Sequence, residues 1–472
     1  MLVKYNIEVS FVKYTADMES IRKHHLPEWY NDAKLGIFIH WGLFSVPAFA
    51  VTGRNIVEAG QKMGLEEYFR NNPYAEWYLN TLRIPDSPTQ EYHTKTYGKE
   101  FSYDDFVPIF NERIKKWKPK EWARLFKKIG AKYVVLTTKH CDGFLLWPSK
   151  YPNPNKENYI ASRDIVGELT SAVKQEGMNM GFYYSSAWDW SFNLFPIKDT
   201  LSFNKHYVQT SEYAEYVTNH WYELIDRYQP KILWSDMGFP MGKNPYKIFA
   251  DYYNQFPDGV VNDRWNQWLP EENKFLLIRH KDFTTPEYRV FKEIKKRKWE
   301  TCRGIGNSFG YNQFESEEDY MSSKDLIYLL IDIVSKNGNL LLNVGPNADG
   351  KIPVIQEKRL TELGKWLEVN GDAIFGTRPW IRAESITTED IPVRFTQKEN
   401  NLYVILMGKP EKDEIGIKNL EIREISKINL LGVEENLKWR IESNNLIIRI
   451  PKKIKDSHAI SFKIELSLNN TD

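Results

Sequence analysis

The sequence predicts an α/β fold, a (β/α)8-type barrel of TIM kind followed by a C-terminal antiparallel β-sandwich, and three observations carry that prediction. From about residue 31 to 371, amphipathic helices alternate with short apolar runs. Alternation of this kind implies parallel pairing, and runs that are apolar throughout imply strands covered on both faces. After residue 372 the helices stop, and period-2 segments separated by Asn-rich turns take over, which is the pattern of antiparallel strands. The expected domains are therefore 1–372, catalytic barrel, and 373–472, β-sandwich.

The first strand is LGIFIHWG. No glycine-rich phosphate loop follows it, which favours a barrel over an open dinucleotide-binding sheet. The clearest helix is KEWARLFKKIG, where Trp122, Leu125, Phe126 and Ile129 recur at helical spacing between Pro119 and Gly130. Strand AKYVVLTTKH follows it. Next come helix 164–177 with strand NMGFYYS, helix 211–228 with strand KILWSD, and helix PYKIFADYYNQF with strand GVVNDRW. WETCRGIG, then helix SKDLIYLLIDIVSKNG with strand NLLLNVG, bring the count to about seven. An eighth strand has no candidate. After helix 358–371, VRFTQKENNLYVILMG reads as a hairpin turning at Glu399 to Asn401, and KINLLG, LKWRIESNNLIIRIP and HAISFKIEL continue the alternation.

Composition excludes several functions. Sixty-four Lys and Arg against 63 Asp and Glu leave a net charge of +1, which is no footprint for nucleic acid or an anionic membrane. The opening MLVKYNIEVSFVKY breaks every apolar run with a polar residue and offers no leader h-region. DLIYLLIDIV carries Asp332 and falls short of the roughly 20 residues that span a bilayer. The expectation is a soluble, cytoplasmic chain, compatible with a homo-oligomer. Its two cysteines, Cys141 and Cys302, lack metal-ligand spacing and read as free thiols.

Reacting groups of parallel barrels sit where strands end. The tips here carry His40 and Trp41, His140, Tyr183, Asp236, Asp263 with Arg264, and Asn343. Hydrogen-bonding side chains interleaved with Trp and Tyr suit a ligand dense in hydroxyls, since flat rings stack on sugar C–H faces. One lone histidine at a strand end is more often a satisfied core group. A metal site at His40 and His140 is disfavoured, because the first strand gives His-Trp-Gly where a metal-dependent barrel hydrolase wants His-x-His. No cofactor is expected.

LGIFIHWGLFSVP, NPYAEWY, KYVVLTTKHCDGFLLW, GFYYS, LWSDMGFP, VNDRW and GIGNSFGYN…LLLNVGP occur in this order along nearly the whole chain. Together they resemble the α-L-fucosidases of glycoside hydrolase family 29. The resemblance implies retaining hydrolysis of terminal α-L-fucose from a fucosylated oligosaccharide or glycoconjugate. It makes Asp236 of the LW-x-D motif the nucleophile. Retention needs a second carboxyl, first acid and then base, and the family places it after the VNDRW strand. There TTPEY makes Glu287 the match, 51 residues beyond Asp236, with Glu271, Glu272 and Glu293 in more charged contexts. An acid that starts protonated near neutrality calls for an apolar or like-charged setting.

For substrate contacts the resemblance carries over His40, Glu76, Trp77, His140, Tyr183 and Arg264, with Trp234 beside the nucleophile. One departure stands out: Cys141 follows His140 where many members of the family have a second histidine. A thiol is a poor donor, so a hydroxyl contact is expected to be lost, replaced by water, or never used. Two rivals remain at this level: a retaining glycosidase for the 6-hydroxylated α-L-galactosides, and an inactive carbohydrate-binding protein.

Overall fold

The computed structural model describes residues 13–53, 64–420, 422, 425–451 and 457–467. Residues 1–12, most of the stretch examined for a leader, lie outside the described residues. In chain order the first nine strands are β1 (Leu35–Ile39), β2 (Tyr133–Lys139), β3 (Asn179–Ser185), β4 (Ile232–Asp236), β5 (Val260–Val261), β6 (Gln267–Leu269), β7 (Lys274–Leu276), β8 (Trp299–Gly304) and β9 (Gly338–Val344). β6 and β7 form a separate hairpin. The other seven make one parallel sheet in the order β5-β4-β3-β2-β1-β9-β8, and they are the seven apolar runs of the sequence.

The gap between β5 and β8 is closed by residues 282–288, which run parallel to β8 without forming a regular strand. Asp282 N–H donates to Val261 O at 3.0 Å. On the other side Thr284 and Glu287 pair in parallel with Trp299 and Cys302. Pro286 accepts from Cys302 N–H but has no N–H to return, so one rung of the ladder is missing. Tyr288 then takes a left-handed φ of 52° and ends the run. Proline and irregular pairing explain why the sequence offers no eighth strand. The interrupted segment nevertheless delivers Glu287 to the rim.

Around the sheet, helix Pro119–Lys128 begins on Pro119 and buries Trp122 and Phe126. Helix Ile165–Gln175 is capped by Asp164, whose side chain accepts from Gly167 N–H, and helix Ser211–Tyr228 is capped in the same way by Thr210. Such caps satisfy amide groups that the helix itself leaves free.

The C-terminal part holds β10 (Arg378–Ile386), β11 (Pro392–Lys398), β12 (Asn401–Leu406), β13 (Glu414–Ile417), β14 (Ile425–Leu430), β15 (Trp439–Glu442), β16 (Asn445–Arg449) and β17 (Ile460–Leu466). They pair as a five-stranded antiparallel sheet, β10-β11-β12-β17-β14, and a three-stranded one, β13-β16-β15. The two share an apolar cluster that includes Phe395, Val404, Ile415, Ile448 and Phe462. Turns fall where the Asn-rich signals stand: Glu399 between β11 and β12, Ser443 and Asn444 between β15 and β16, all at positive φ. The charge inside the apolar helix Ser323–Ser335 also finds its reason. Asp332 pairs with Lys336 at 2.7 Å and with Arg394 of β11 at 2.6 Å, tying the sheet to the barrel.

Candidate active site

At the C-terminal rim of the barrel lies a cavity of about 160 Å³ lined by Asp236, Glu287, His40, Glu76, Trp77, His140, Tyr183, Trp234 and Arg264. All nine residues named through the resemblance meet there, whereas Trp41, Asp263 and Asn343, also singled out at strand tips, are not part of the lining. The size suits one small polar molecule, being below the range of drug-sized pockets. Four larger clefts, of about 830, 790, 540 and 500 Å³, contain neither carboxylate, and the first two lie against the C-terminal sheets.

Strand alternation builds the floor. Trp234 and Asp236 are two apart on β4 and share its inner face, and Tyr183 of β3 is in register with Trp234. The rings of Tyr183 and Trp234 stack at 5.5 Å. One layer deeper, Glu300 of β8 accepts from Trp234 Nε1–H at 3.0 Å and from the hydroxyls of Tyr30 and Tyr133. Cys302, two residues on from Glu300, reaches the cavity itself. Asp236 ends β4, and the chain turns away through Met237 and Gly238 at φ 57° and 83°. A Cβ on residue 238 would sit 2.6 Å from Asn266 O, so this left-handed position requires glycine.

Asp236 is held at both oxygens. Tyr183 O–H donates to Oδ2 at 2.8 Å and Arg264 Nη1 to Oδ1 at 2.9 Å. The same guanidinium places Nη2 3.4 Å from Glu287 Oε2, and its Nε and Nη2 bind Thr285. One planar, permanently charged fork thus spans both carboxylates. Tyr74 O–H donates to Glu287 Oε1 at 2.8 Å. Glu271, Glu272 and Glu293 are exposed outside the cavity, while Asp263 accepts from Thr285 N–H and Oγ1–H and helps to hold the closing segment.

The histidines are neutral. Asn343 donates from Nδ2 to Phe309 O, so its Oδ1 faces His40 Nδ1 at 2.7 Å and fixes the proton on that nitrogen. Nε2 of His40 is left as an acceptor. Burial lowers the His40 pKa to about 4 and that of His140 well below the usual range. His140 stacks on Tyr183 and lines the cavity, and its Nδ1 is buried without a protein partner. Cys141 does not line the cavity. Its thiol is fully buried, 3.2 Å from Ser185 Oγ, so the residue that replaces a histidine faces the protein interior.

Glu76 lies in a short turn after Tyr74 and is buried. Its Oε2 accepts from Gly310 N–H at 2.7 Å. Burial raises its pKa to about 8, the Gly310 amide opposing and the Glu287 charge reinforcing the rise. Between its ordinary value of 4.5 and about 8 the folded chain therefore keeps a proton that the unfolded chain has released. Stability contributed by this group falls as pH climbs through that window and levels off above it, by about 1 kcal/mol per pH unit within it. Glu76→Gln fixes the neutral form, and denaturant unfolding at pH 5.5 and 8.5 should show a fall flatter than that of the parent by roughly 2 kcal/mol.

Sequence reasoning passed over Phe38, Tyr68, Tyr74, Met237, Cys302 and Phe309, which also line the cavity. Tyr74 had a signal, since it stands two residues before Glu76 in NPYAEWY. Tyr68 and Phe309 come from rim segments with no strand pattern to place them.

A family model described as alpha-L-fucosidase matches residues 1–372, and one for the alpha-L-fucosidase C-terminal domain matches 385–466. The chain is 33% identical to an alpha-L-fucosidase of Dictyostelium discoideum over 93% of its own length and 92% of the relative's. It is likewise 33% identical to human plasma alpha-L-fucosidase, over 94% and 90%. The crystal structure of Thermotoga maritima alpha-fucosidase superposes with a TM-score of 0.84 at 44% identity, covering 96% of this chain and all of that one. A complex of that enzyme with fucose has been solved, and it matches equally well, with a TM-score of 0.84 at 43% identity.

Proposed function

This chain belongs to the α-L-fucosidase family, and from that premise we propose that Asp236 and Glu287 remove terminal α-L-fucose from fucosylated oligosaccharides or glycoconjugates with retention of configuration. The observation that carries the proposal is a single guanidinium, Arg264, contacting both carboxylates across a hollow the size of one sugar ring.

In the first step Asp236 attacks the anomeric carbon, the bond to the aglycone oxygen breaks, and Glu287 gives that oxygen its proton. In the second, Glu287 takes a proton from water, the water oxygen bonds to the anomeric carbon, and the bond to Asp236 breaks. The Tyr183 and Arg264 hydrogen bonds to Asp236 support the charge it recovers in that step, in a site where little water competes. A carboxylate at the end of a buried strand is also held in one place, which covalent attack requires.

Around the ring, His40, His140 and Glu76 offer neutral hydrogen-bonding groups for the sugar hydroxyls. The faces of Phe38, Trp234 and Phe309 offer apolar surface for the methyl group of a 6-deoxy sugar. An added 6-hydroxyl is rejected only about a hundredfold by such a surface, so slow turnover of α-L-galactosides accords with the same site. The small cavity supports release of one terminal residue at a time.

Proton NMR of aryl α-L-fucoside hydrolysis tests this reading. The α anomer of fucose is expected to appear first and to mutarotate afterwards. Initial release of the β anomer would rule out double displacement.

A further inference from the structure

Away from the cavity, the described residues contain a group of three side chains able to hold a metal ion: His24, His280 and Asp282. One donor atom from each lies within 4.8 Å of the others. Asp282 Oδ1 is 2.9 Å from His24 Nδ1 and 3.9 Å from His280 Nε2. The Tyr253 hydroxyl adds an oxygen 2.7 Å from His280 Nε2 and 2.8 Å from Asp282 Oδ2.

His24 is held on both sides: its Nε2 lies 3.1 Å from Pro257 O and its Nδ1 2.9 Å from the Asp282 carboxylate. His280 turns its Nε2 toward the same carboxylate, so two imidazoles from distant parts of the chain converge on one acid.

We propose that His24 Nδ1, His280 Nε2 and Asp282 form a binding site for a first-row divalent transition metal, with zinc the ion best suited to them. Two imidazoles and one carboxylate match zinc's ligand preferences, whereas calcium and magnesium want oxygen alone. Tetrahedral ligands at about 2.0–2.1 Å stand roughly 3.3 Å apart, so His24 Nδ1, now 2.9 Å from Asp282 Oδ1, moves out slightly and His280 Nε2, now 3.9 Å from it, draws in. The Pro257 carbonyl already takes the far nitrogen of His24, which is the outer contact that orients ligating histidines. Stacking of Tyr253 on the His24 ring at 3.7 Å holds the ring plane. The side chains of His24, His280 and Asp282 are buried.

An ion here fastens the N-terminal arm that carries His24 to the segment that closes the barrel. Asp282 opens that segment, five residues before Glu287. The site is thus structural, and it steadies the part of the barrel wall with the least regular hydrogen bonding.

The test strips the full chain with EDTA, dialyses it, and titrates it with zinc chloride alone while metal content and thermal unfolding are followed. Saturation at one zinc per chain and a raised unfolding temperature are expected. His24→Gln and His280→Gln should each weaken zinc binding at least about tenfold; because each also loses a buried hydrogen bond, the unfolding temperature of each metal-free variant is the baseline from which its own zinc-induced rise is read. Asp282→Asn is unsuitable, because this carboxylate also accepts from Val261 N–H. Cobalt in place of zinc should give the visible absorption of a four-coordinate site in the parent, a signal that no folding defect imitates. No zinc uptake by the parent, or uptake by both variants equal to the parent's, overturns the proposal and leaves His24 and Asp282 a buried hydrogen-bonded pair.

Discussion

Asp236→Gly is expected to reduce turnover of an aryl α-L-fucoside by at least about ten-thousandfold, equivalent to roughly 5.5 kcal/mol of barrier. The loss should fall on kcat more than on KM, because His40, His140 and Glu76, the groups proposed to meet the sugar hydroxyls, are left in place by the substitution. Tyr183 O–H and Arg264 Nη1, which hold the two oxygens of Asp236, would then border a vacated, positively biased hollow. Azide fits such a space and should restore part of the rate by attacking the anomeric carbon itself, giving a β-fucosyl azide. Arg264 keeps Thr285 and Glu287 as partners, so the variant should fold. Activity undiminished in it would remove Asp236 from the chemistry.

Glu287→Ala should separate substrates by their leaving groups. An aglycone that departs as a stable phenolate needs little help, and its glycosylation rate should change less than about tenfold. A poor leaving group, such as the alkoxide of another sugar, should lose the full contribution of general acid catalysis, about 10² to 10⁴. Single-turnover rates with both substrates read the difference. Equal losses would shift the role to another carboxyl. The nearest alternative is Glu76, which lines the same cavity and retains its proton up to about pH 8.

Most of the barrel is legible in the sequence because buried parallel strands are apolar along their whole length. Runs such as YVVLTTK and NLLLN have no other stable place. The closing segment is not legible, since Pro286 denies it a rung and its pairing with β5 and β8 is carried by scattered bonds. Asp236 could be found from first principles, as a carboxylate ending a strand tip. Glu76, Trp77 and Glu287 could not, because they stand on turns and an interrupted strand whose position no periodicity fixes, and the motif resemblance supplied them. The Arg264 bridge was invisible for a related reason. Its partners, Asp236 and Glu287, lie 28 and 23 residues away in the chain, and only the closed barrel brings them to one fork. Cys141 shows the reverse limit. Its neighbour His140 faces the cavity, and the resemblance placed a second contact at position 141, whereas Cys141 lies in the turn beyond β2 with its thiol buried against Ser185.

The central claim is that Asp236 becomes covalently bonded to the sugar. A 2-fluoro-fucosyl fluoride slows both steps by destabilising positive charge at the anomeric carbon, but it keeps a good leaving group for the first, so the intermediate should accumulate. Proteolysis and mass spectrometry of the trapped protein should find one deoxyfluorofucosyl group on the peptide containing Asp236. An adduct on any other residue, or time-dependent inactivation with no adduct at all, would contradict the account.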